Sequence, residues 1–340
     1  MNAHKVTLFA PNKKEQYEEN VEDVFEFYGI RNCFKIKKFR YFHIKKLGPL
    51  LYSLYANLFL KKNNPDLVYG RDFFGCILSA IRGYNTIFEA HEPLFENGFI
   101  YKILLKLLFK QKKFIKMIAI SDSLKKIFIE NGFDDIEEKF FVAHDAADEV
   151  KDFNKLKGWQ GRKNTLQVGY FGHLYEGRGI NIIVDISAKM PDVDFHIIGG
   201  NDKEISYWKE NYRDINLFFH GYISPSMVYK YRNNCDILLA PYQEKVTLSN
   251  KLDTARFMSP LKIFEYMSSK KAIVCSDLPV LREVLNESNS ILVKCDNLSE
   301  WINAIERLKN TNLRTEYAQN AYNSFKNQFR WKARAIKVLQ

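Results

Sequence analysis

No uninterrupted apolar run in this chain is long enough to cross a bilayer, which excludes a helical membrane-spanning protein. Cysteine is scarce: Cys33, Cys76, Cys235, Cys275 and Cys295 are all there is in 340 residues, and no two form a CxxC pair. An odd, scattered set excludes a disulfide framework and a structural zinc site. It leaves buried free thiols and a reducing compartment. There is no low-complexity tract, no short repeat, no GxGxxG fingerprint and no P-loop. Met1 to Phe9 runs from charged to apolar without a small-residue cleavage site, which reads as a first strand rather than a signal peptide.

What is present is an ordinary globular composition, 46% hydrophobic and 27% charged, in a length that admits two α/β domains. The net charge of +11 is unevenly spread: Arg31 to Lys126 holds 19 Lys or Arg against 6 Asp or Glu. Such a basic block suits nucleic acid, an anionic membrane or an acidic substrate, and does not choose among them.

Short apolar runs alternate with amphipathic stretches, the signature of parallel α/β sheets. In the first half strands are expected at Val6–Ala10, Cys33–Phe39, Leu67–Tyr69, Thr86–Ala90, Phe114–Ile120 and Phe140–Ala143. Helices fall between them, near Glu15–Tyr28, Gly48–Lys62, Asp72–Arg82, Asn97–Lys112 and Asp122–Asn131. Lys151 to Asn164 is polar and aperiodic and reads as an inter-domain linker. Strands resume at Leu166–Phe171, Asp194–Ile198, Leu217–His220, Asp236–Ala240, Ala272–Ser276 and Ile291–Lys294. Their helices lie near Asn181–Met190, Lys203–Tyr212, Ser226–Asn233, Pro260–Ser268, Val280–Leu285 and Ser299–Leu308, and a last helix runs from about Leu313 to the end. Two doubly wound α/β units imply ligands at the carboxyl ends of strands, in a cleft between domains.

Three segments carry candidate chemistry. In Ser259-Pro260-Leu261-Lys262-Ile263-Phe264-Glu265, Ser259 is the expected N-cap and Pro260 the first helical residue. Lys262 then joins the free N–H groups of a helix start, a ready anion site. Glu265, three residues on, suits ribose hydroxyls as an acceptor. The same spacing fits a plain surface ion pair between Lys262 and Glu265. The second segment is Gly172-His173-Leu174-Tyr175-Glu176-Gly177-Arg178-Gly179, where a strand turns into a helix and Arg178 is able to reach a phosphate. An unremarkable strand-to-helix turn gives the same pattern. The third is Phe88-Glu89-Ala90-His91, with His91 at a strand's carboxyl end, functional or simply structural.

In combination and in order, these features resemble the donor domain of retaining glycosyltransferases of family 4, which have the GT-B fold. The resemblance runs from Val168 almost to the end: the loop from Gly172 to Gly179, Phe219-His220-Gly221-Tyr222-Ile223, Asp236-Ile237-Leu238-Leu239-Ala240-Pro241, Ser259–Met267 and Ala272–Asp277. The first half matches more loosely, through Phe88–His91, Ile120–Leu124 and His144–Asp148.

The resemblance implies an acceptor-binding domain at 1–157, a nucleotide-sugar-binding domain at 158–316 and a C-terminal helix, about 317–340, crossing back onto the first domain. It implies Arg178 and Lys262 on the donor diphosphate, Glu265 on the ribose and His91 on the donor sugar. Gly172, His173, Ser259, Pro260 and Leu261 would line the donor, and Gly221, Tyr222 and Ile223 would border the base. The implied reaction moves a sugar from a nucleotide-diphosphate sugar to a glycan or lipid-linked acceptor, with retention and without a metal or other cofactor, in surface polysaccharide or glycolipid synthesis. Asp192-Val193-Asp194 has the DxD pattern of metal-dependent transferases, but it opens an expected strand and reads as structural.

Three departures stand out. Phe257 occupies the position of the family's first paired glutamate, His173 stands where many members have arginine, and Pro11-Asn12-Lys13-Lys14 replaces a Gly-rich loop. Lys102, Lys106, Lys110 and Lys113 form a stripe on an apolar helix, which suits an anionic membrane surface or a solvated lysine face. The expected location is the cytoplasm, with peripheral contact to the membrane's inner face. Two other classes fit less of the sequence. Another GT-B enzyme, such as a nucleotide-sugar epimerase, needs no acceptor, and a nucleic-acid binder rests on charge alone.

Overall fold

The computed structural model describes residues 4–13, 21–44, 47–212, 216–246 and 252–340. By internal contacts the chain divides into Met1–Ile120 with Leu124–Val142, and Ser121–Ser123 with Ala143–Gln340.

In the first unit, β1 (Thr7–Asn12) and β2 (Lys35–Arg40) form a parallel pair. The next four strands, β3 (Val68–Gly70), β4 (Thr86–Ala90), β5 (Phe114–Ala119) and β6 (Phe140–Val142), form a parallel sheet in sequence order. All five residues of β4 are buried, as expected of a strand covered on both faces. The helices are α1 (Val24–Tyr28), α2 (Gly48–Leu58), α3 (Leu60–Asn63), α4 (Phe73–Ile81), α5 (Phe99–Phe109) and α6 (Asp122–Phe128).

The expected helix over 15–28 is seen from Val24, and 15–20 lie outside the described residues. The expected helix over 48–62 is broken at Phe59. The basic helix starts only at Phe99, because Gly98 takes φ +131, beyond the reach of other residues. β1 runs on through Pro11 and Asn12, where the sequence suggested a loop.

The second unit holds one six-stranded parallel sheet in the order β12-β11-β10-β7-β8-β9. Its strands are β7 (Leu166–Phe171), β8 (Val193–Ile198), β9 (Leu217–Gly221), β10 (Ile237–Ala240), β11 (Ala272–Ser276) and β12 (Ile291–Val293). Period-2 alternation splits the apolar residues between two cores. Phe171, Leu238, Ala240, Ile273 and Cys275 face one side, while Val168, Tyr170, Ile237, Leu239, Ala272 and Val274 face the other. That double burial is why these strands read as continuous apolar runs.

The helices are α7 (Ile180–Lys189), α8 (Asp202–Asn211), α9 (Pro225–Asn234), α10 (Leu261–Ser268), α11 (Pro279–Arg282), α12 (Leu298–Leu308), α13 (Thr311–Gln328) and α14 (Trp331–Leu339). The single expected C-terminal helix is two, parted at Phe329 and Arg330, where Ala147 makes a parallel bridge to Arg330. Ala321, Tyr322 and Phe325 of α13 sit in the second unit's core. Pro225 is the first residue of α9, and the Ser224 hydroxyl before it lies 3.4 Å from Ser226 Oγ and makes no capping bond.

Residues 143–157 group with the second unit. The Arg334 guanidinium donates to the carbonyls of His144 (2.7 Å) and Ala143 (3.1 Å), and the Asn233 amide to those of Asp152 (2.9 Å) and Asn154 (3.1 Å). Ser121–Ser123 belong there too. The Glu283 carboxylate accepts the N–H groups of Asp122 and Ser123 at 2.8 Å, and Ser121 Oγ donates to the Phe257 carbonyl at 2.8 Å.

The stretch read as a bare linker is anchored by Trp159. Its ring stacks on His220 (4.8 Å, 12°) and lies 4.3 Å from His196, and its indole N–H donates to Gln167 Oε1 at 2.9 Å. His196 bonds Gln167 Oε1 through Nε2 (2.7 Å) and His220 Nε2 through Nδ1 (2.9 Å). Because the glutamine oxygen only accepts, His196 Nε2 carries the proton and its Nδ1 accepts from His220.

Burial then holds both rings neutral, pulling His196 from 6.5 to about 3 and His220 to about 4; protonating His196 would also set it against the adjoining His220, and Lys209 opposes a charge on His220. Both folded-state values lie below the unfolded one, so the unfolded chain takes up protons that the folded unit refuses. The stability is fully present above about pH 6.5 and drains as pH falls toward 4. Buried His196 alone contributes up to about 1.4 kcal/mol per pH unit. The thermal midpoint is therefore expected to drop between pH 7 and pH 5, with part of the slope removed in His196→Phe. Equal slopes in the two proteins would contradict this.

Candidate functional site

The strand order reverses between β7 and β10, and ligands of such sheets bind in the crevice at the carboxyl ends there. Two loops border that point. The first follows β7, from Gly172 to Gly179; the second follows β10, from Pro241 to Val246. They are pressed together: Gln243 N donates to the Gly177 carbonyl at 3.1 Å. Gly179, at φ +75, lies so close to Pro241 that a side-chain carbon would stand 1.9 Å from its carbonyl oxygen. Only glycine fits there.

This crevice gathers positive charge. Arg178 lies over the rings of Tyr175 (4.8 Å) and Tyr242 (5.4 Å), and one Nη donates to the Tyr175 hydroxyl. Its Nε is buried and has no hydrogen-bond partner among the described residues. Lys262 Nζ lies 4.1 Å from the centre of the Tyr170 ring and 4.9 Å from that of Tyr242. No carboxylate of a described residue comes within ion-pair distance of it. Burial, and then the charge of Arg178, push the Lys262 ammonium well below its ordinary range. A side-chain carbon on Gly172 would stand 3.0 Å from Lys262 Nζ, so the glycine leaves the ammonium its room. His173, which stacks on Tyr175 at 5.4 Å, is lowered by burial and by Arg178 and so is neutral at pH 7.

Lys262 and Glu265 leave α10 in different directions. Lys262 faces the tyrosines, and Glu265 Oε2 accepts from Arg232 Nη1 at 2.9 Å. The i,i+3 ion pair that the spacing allowed is not formed. Arg232 is buried and is itself fixed by Ser269 Oγ, 3.0 Å from its Nε. Tyr266 ties α10 to the sheet's carboxyl end. Its hydroxyl accepts from Phe171 N (2.9 Å) and donates to the Leu239 carbonyl (3.2 Å), bridging β7 and β10.

The helix start is shifted by one residue from expectation. Pro260 is the N-cap and Leu261 the first helical residue. Ser259 is not the cap; it is buried and its Oγ accepts from Asp145 N at 2.8 Å. The N–H groups of Leu261 and Lys262 stand in the first turn, where a helix offers no internal acceptors.

Phe257 is 1% exposed, a core residue. Nearby Asp253 caps a short turn by accepting from Val246 N and Ala255 N, each at 3.1 Å. Gly221 takes φ +76 at the end of β9, Tyr222 is exposed, and Ile223 packs on the core beside it. In the first unit His91 follows β4, with Nε2 2.6 Å from Oε1 of buried Glu89, whose other oxygen accepts from the Tyr69 hydroxyl.

The DxD carboxylates are engaged at the opposite end of the sheet, where β8 begins. Asp194 accepts from Arg162 N and Nε (2.6 and 2.7 Å), and Asp192 from Lys309 (2.7 Å).

Sequence reasoning missed Tyr170, Tyr175, Tyr242 and Arg232. Tyr242 carried a usable signal, since it lies two residues past a strand end at the switch point. Arg232 carried none, since its partner Glu265 is 33 residues away.

The fold is a parallel α/β one matching GT-B glycosyltransferases, and residues 165–311 match a Glycosyl transferases group 1 domain. Among relatives, a glycosyltransferase of Methanocaldococcus jannaschii, itself uncharacterised, is 25% identical over 364 residues, 97% of this chain and 87% of its own. Among solved structures, Anabaena HepE in complex with UDP and glucose superposes with TM-score 0.68 at 19% identity, covering 99% of this chain and 98% of that one. A glycosyltransferase from Rickettsia africae gives TM-score 0.68 at 15% identity, with 98% and 97% covered.

Proposed function

We infer that the chain is a glycosyltransferase whose second unit binds a nucleoside-diphosphate sugar at the β7/β10 crevice. The observation that carries this is a pair of uncompensated cations, Lys262 and Arg178, beside a helix N-terminus at the switch point of a doubly wound sheet. A half-buried ammonium without a counter-ion and a guanidinium with an orphan N–H are groups that await an anion. A diphosphate supplies it, and UDP is the first to test because HepE was solved with UDP.

In the proposed reaction the bond from the anomeric carbon to the diphosphate oxygen breaks, and one to the acceptor hydroxyl oxygen forms. The acceptor's proton passes to the departing diphosphate. Charge grows on that diphosphate in the transition state, where Lys262, Arg178 and the first N–H groups of α10 stabilise it without a metal. Attack from the face the diphosphate leaves gives retention, and His91 is the candidate contact to the donor sugar. A hexose as the sugar and a glycan or lipid-linked hydroxyl as the acceptor complete the proposal.

Glu265 holds the ribose hydroxyls, with Arg232 fixing its carboxylate. A hydrogen bond to a charged group contributes about 1.5–3 kcal/mol, roughly 10- to 100-fold in affinity. UDP is therefore expected to bind more tightly than 2′-deoxy-UDP, and Glu265→Gln to weaken UDP and erase that preference. Arg232→Met should weaken it as well. Titration calorimetry reads both, and an unchanged UDP affinity in Glu265→Gln would overturn the assignment.

A further inference from the structure

We propose that α5 is the face by which the protein docks on an anionic bilayer. The helix buries Leu105, Leu108 and Phe109, which hold it to the first unit. Its opposite side is apolar and uncovered: Phe99 is 77% exposed, Ile100 70%, Ile103 50% and Leu107 40%. At 100° per residue these four span about 100° of the helix surface; Lys106 lies just outside one edge of that ridge and Lys110, the C-cap, falls within its span. Both lysines are exposed and Lys102 is half-buried. Single exposed apolar residues need no explanation, but a contiguous ridge on one helix marks a contact surface.

Charge selects the occupant. From Asn97 to Ser121 the chain has six lysines (Lys102, Lys106, Lys110, Lys112, Lys113 and Lys116) and no Asp or Glu. A second copy docked ridge to ridge would bring two such clusters together, like against like. An anionic lipid surface opposes the charge with headgroups and takes the apolar side chains into the acyl boundary. Long lysine stems let the ammonium groups stay at headgroup level while the ridge enters. Among the described residues no helix is long and apolar enough to cross a membrane, so the contact is one of lying on the surface.

The test is flotation of the full chain with vesicles of phosphatidylcholine alone and with about a third phosphatidylglycerol. The variants are Phe99→Ser/Ile103→Ser and Lys106→Glu/Lys110→Glu. These side chains lie outside the proposed donor site, so a thermal midpoint close to wild type shows that each variant is folded. Wild type is expected to float with the anionic vesicles, at least about 10-fold more than with phosphatidylcholine alone, and each folded variant to lose about 10-fold. The proposal is overturned if wild type stays at the bottom of the gradient, or if both folded variants float like wild type. It is also overturned if light scattering shows a dimer that Phe99→Ser/Ile103→Ser dissociates, which would put a second copy on the ridge.

Discussion

Lys262→Met is expected to lower turnover by about 100- to 1,000-fold, the usual loss when one preorganised charge partner of a transition state is removed. It is also expected to raise the thermal midpoint of the ligand-free protein. Two opposing effects act on the ammonium. The faces of Tyr170 and Tyr242 attract it, each contributing about 0.5–2 kcal/mol. Burial and the charge of Arg178 act against it and hold its pKa well below the ordinary lysine range. With its folded-state value below the unfolded one, the group destabilises the fold at neutral pH, and that cost fades as pH rises toward 10.5. Methionine keeps the apolar stem and removes the charge, a gain of roughly 1 kcal/mol, or about 2–4 °C.

The same balance makes donor binding a proton-linked event. A nucleotide sugar carries a fully ionised diphosphate diester, so any proton exchanged on binding belongs to the protein. The diphosphate restores the ammonium's pKa, and calorimetry in two buffers of different ionisation enthalpy should show net proton uptake that Lys262→Met lacks. A variant that is both inactive and less stable would instead make Lys262 a structural residue.

Phe257→Glu puts back the side chain the family pattern has at this position, and is expected to unfold rather than improve the protein. Phe257 is among the most deeply buried side chains. Truncating such a phenylalanine loses about 3–5 kcal/mol, before the penalty of enclosing a carboxylate. At about 2–4 °C per kcal/mol for a unit of this size, the midpoint should fall by roughly 10 °C or more. Phe257→Leu keeps an apolar side chain and should lose much less. A folded Phe257→Glu with raised activity would contradict this and place residue 257 in the site. The backbone here is under separate control, since the Phe257 carbonyl accepts from Ser121 Oγ and its N–H donates to the Thr254 carbonyl at 3.1 Å.

The sheet was easy to read where strands are buried on both faces. Thr86–Ala90, Leu166–Phe171 and Ala272–Ser276 appear with the boundaries their apolar runs suggest. Helices were harder at their ends and breaks. Nothing in the apolar pattern marks the stop at Phe59 or the parting at Phe329, because the backbone turns there without Gly or Pro. The linker reads as structureless because Trp159 sits in a polar, aperiodic run; its partners His196 and His220 are 37 and 61 residues away.

In the candidate site, charged residues at strand and helix ends were legible from topology, since ligands of such sheets gather there. Their directions were not. Spacing put Lys262 and Glu265 on one face of a helix, and long-range partners, Tyr170 and Tyr242 for one and Arg232 for the other, pulled them apart. Tyr170, inside the apolar strand β7, has the sequence pattern of a core residue, yet its ring faces Lys262 in the crevice.

The central claim is that Lys262 and Arg178 form the seat of a nucleoside diphosphate. It is tested most directly by thermal unfolding of wild type and Lys262→Met against UDP, GDP, ADP, CDP and TDP. A ligand at about 100 times its dissociation constant stabilises the native state by about 2.7 kcal/mol. The account predicts a clear upward shift with at least one diphosphate in wild type and none in Lys262→Met. A shift of equal size in both, or no shift with any of the five, would contradict it.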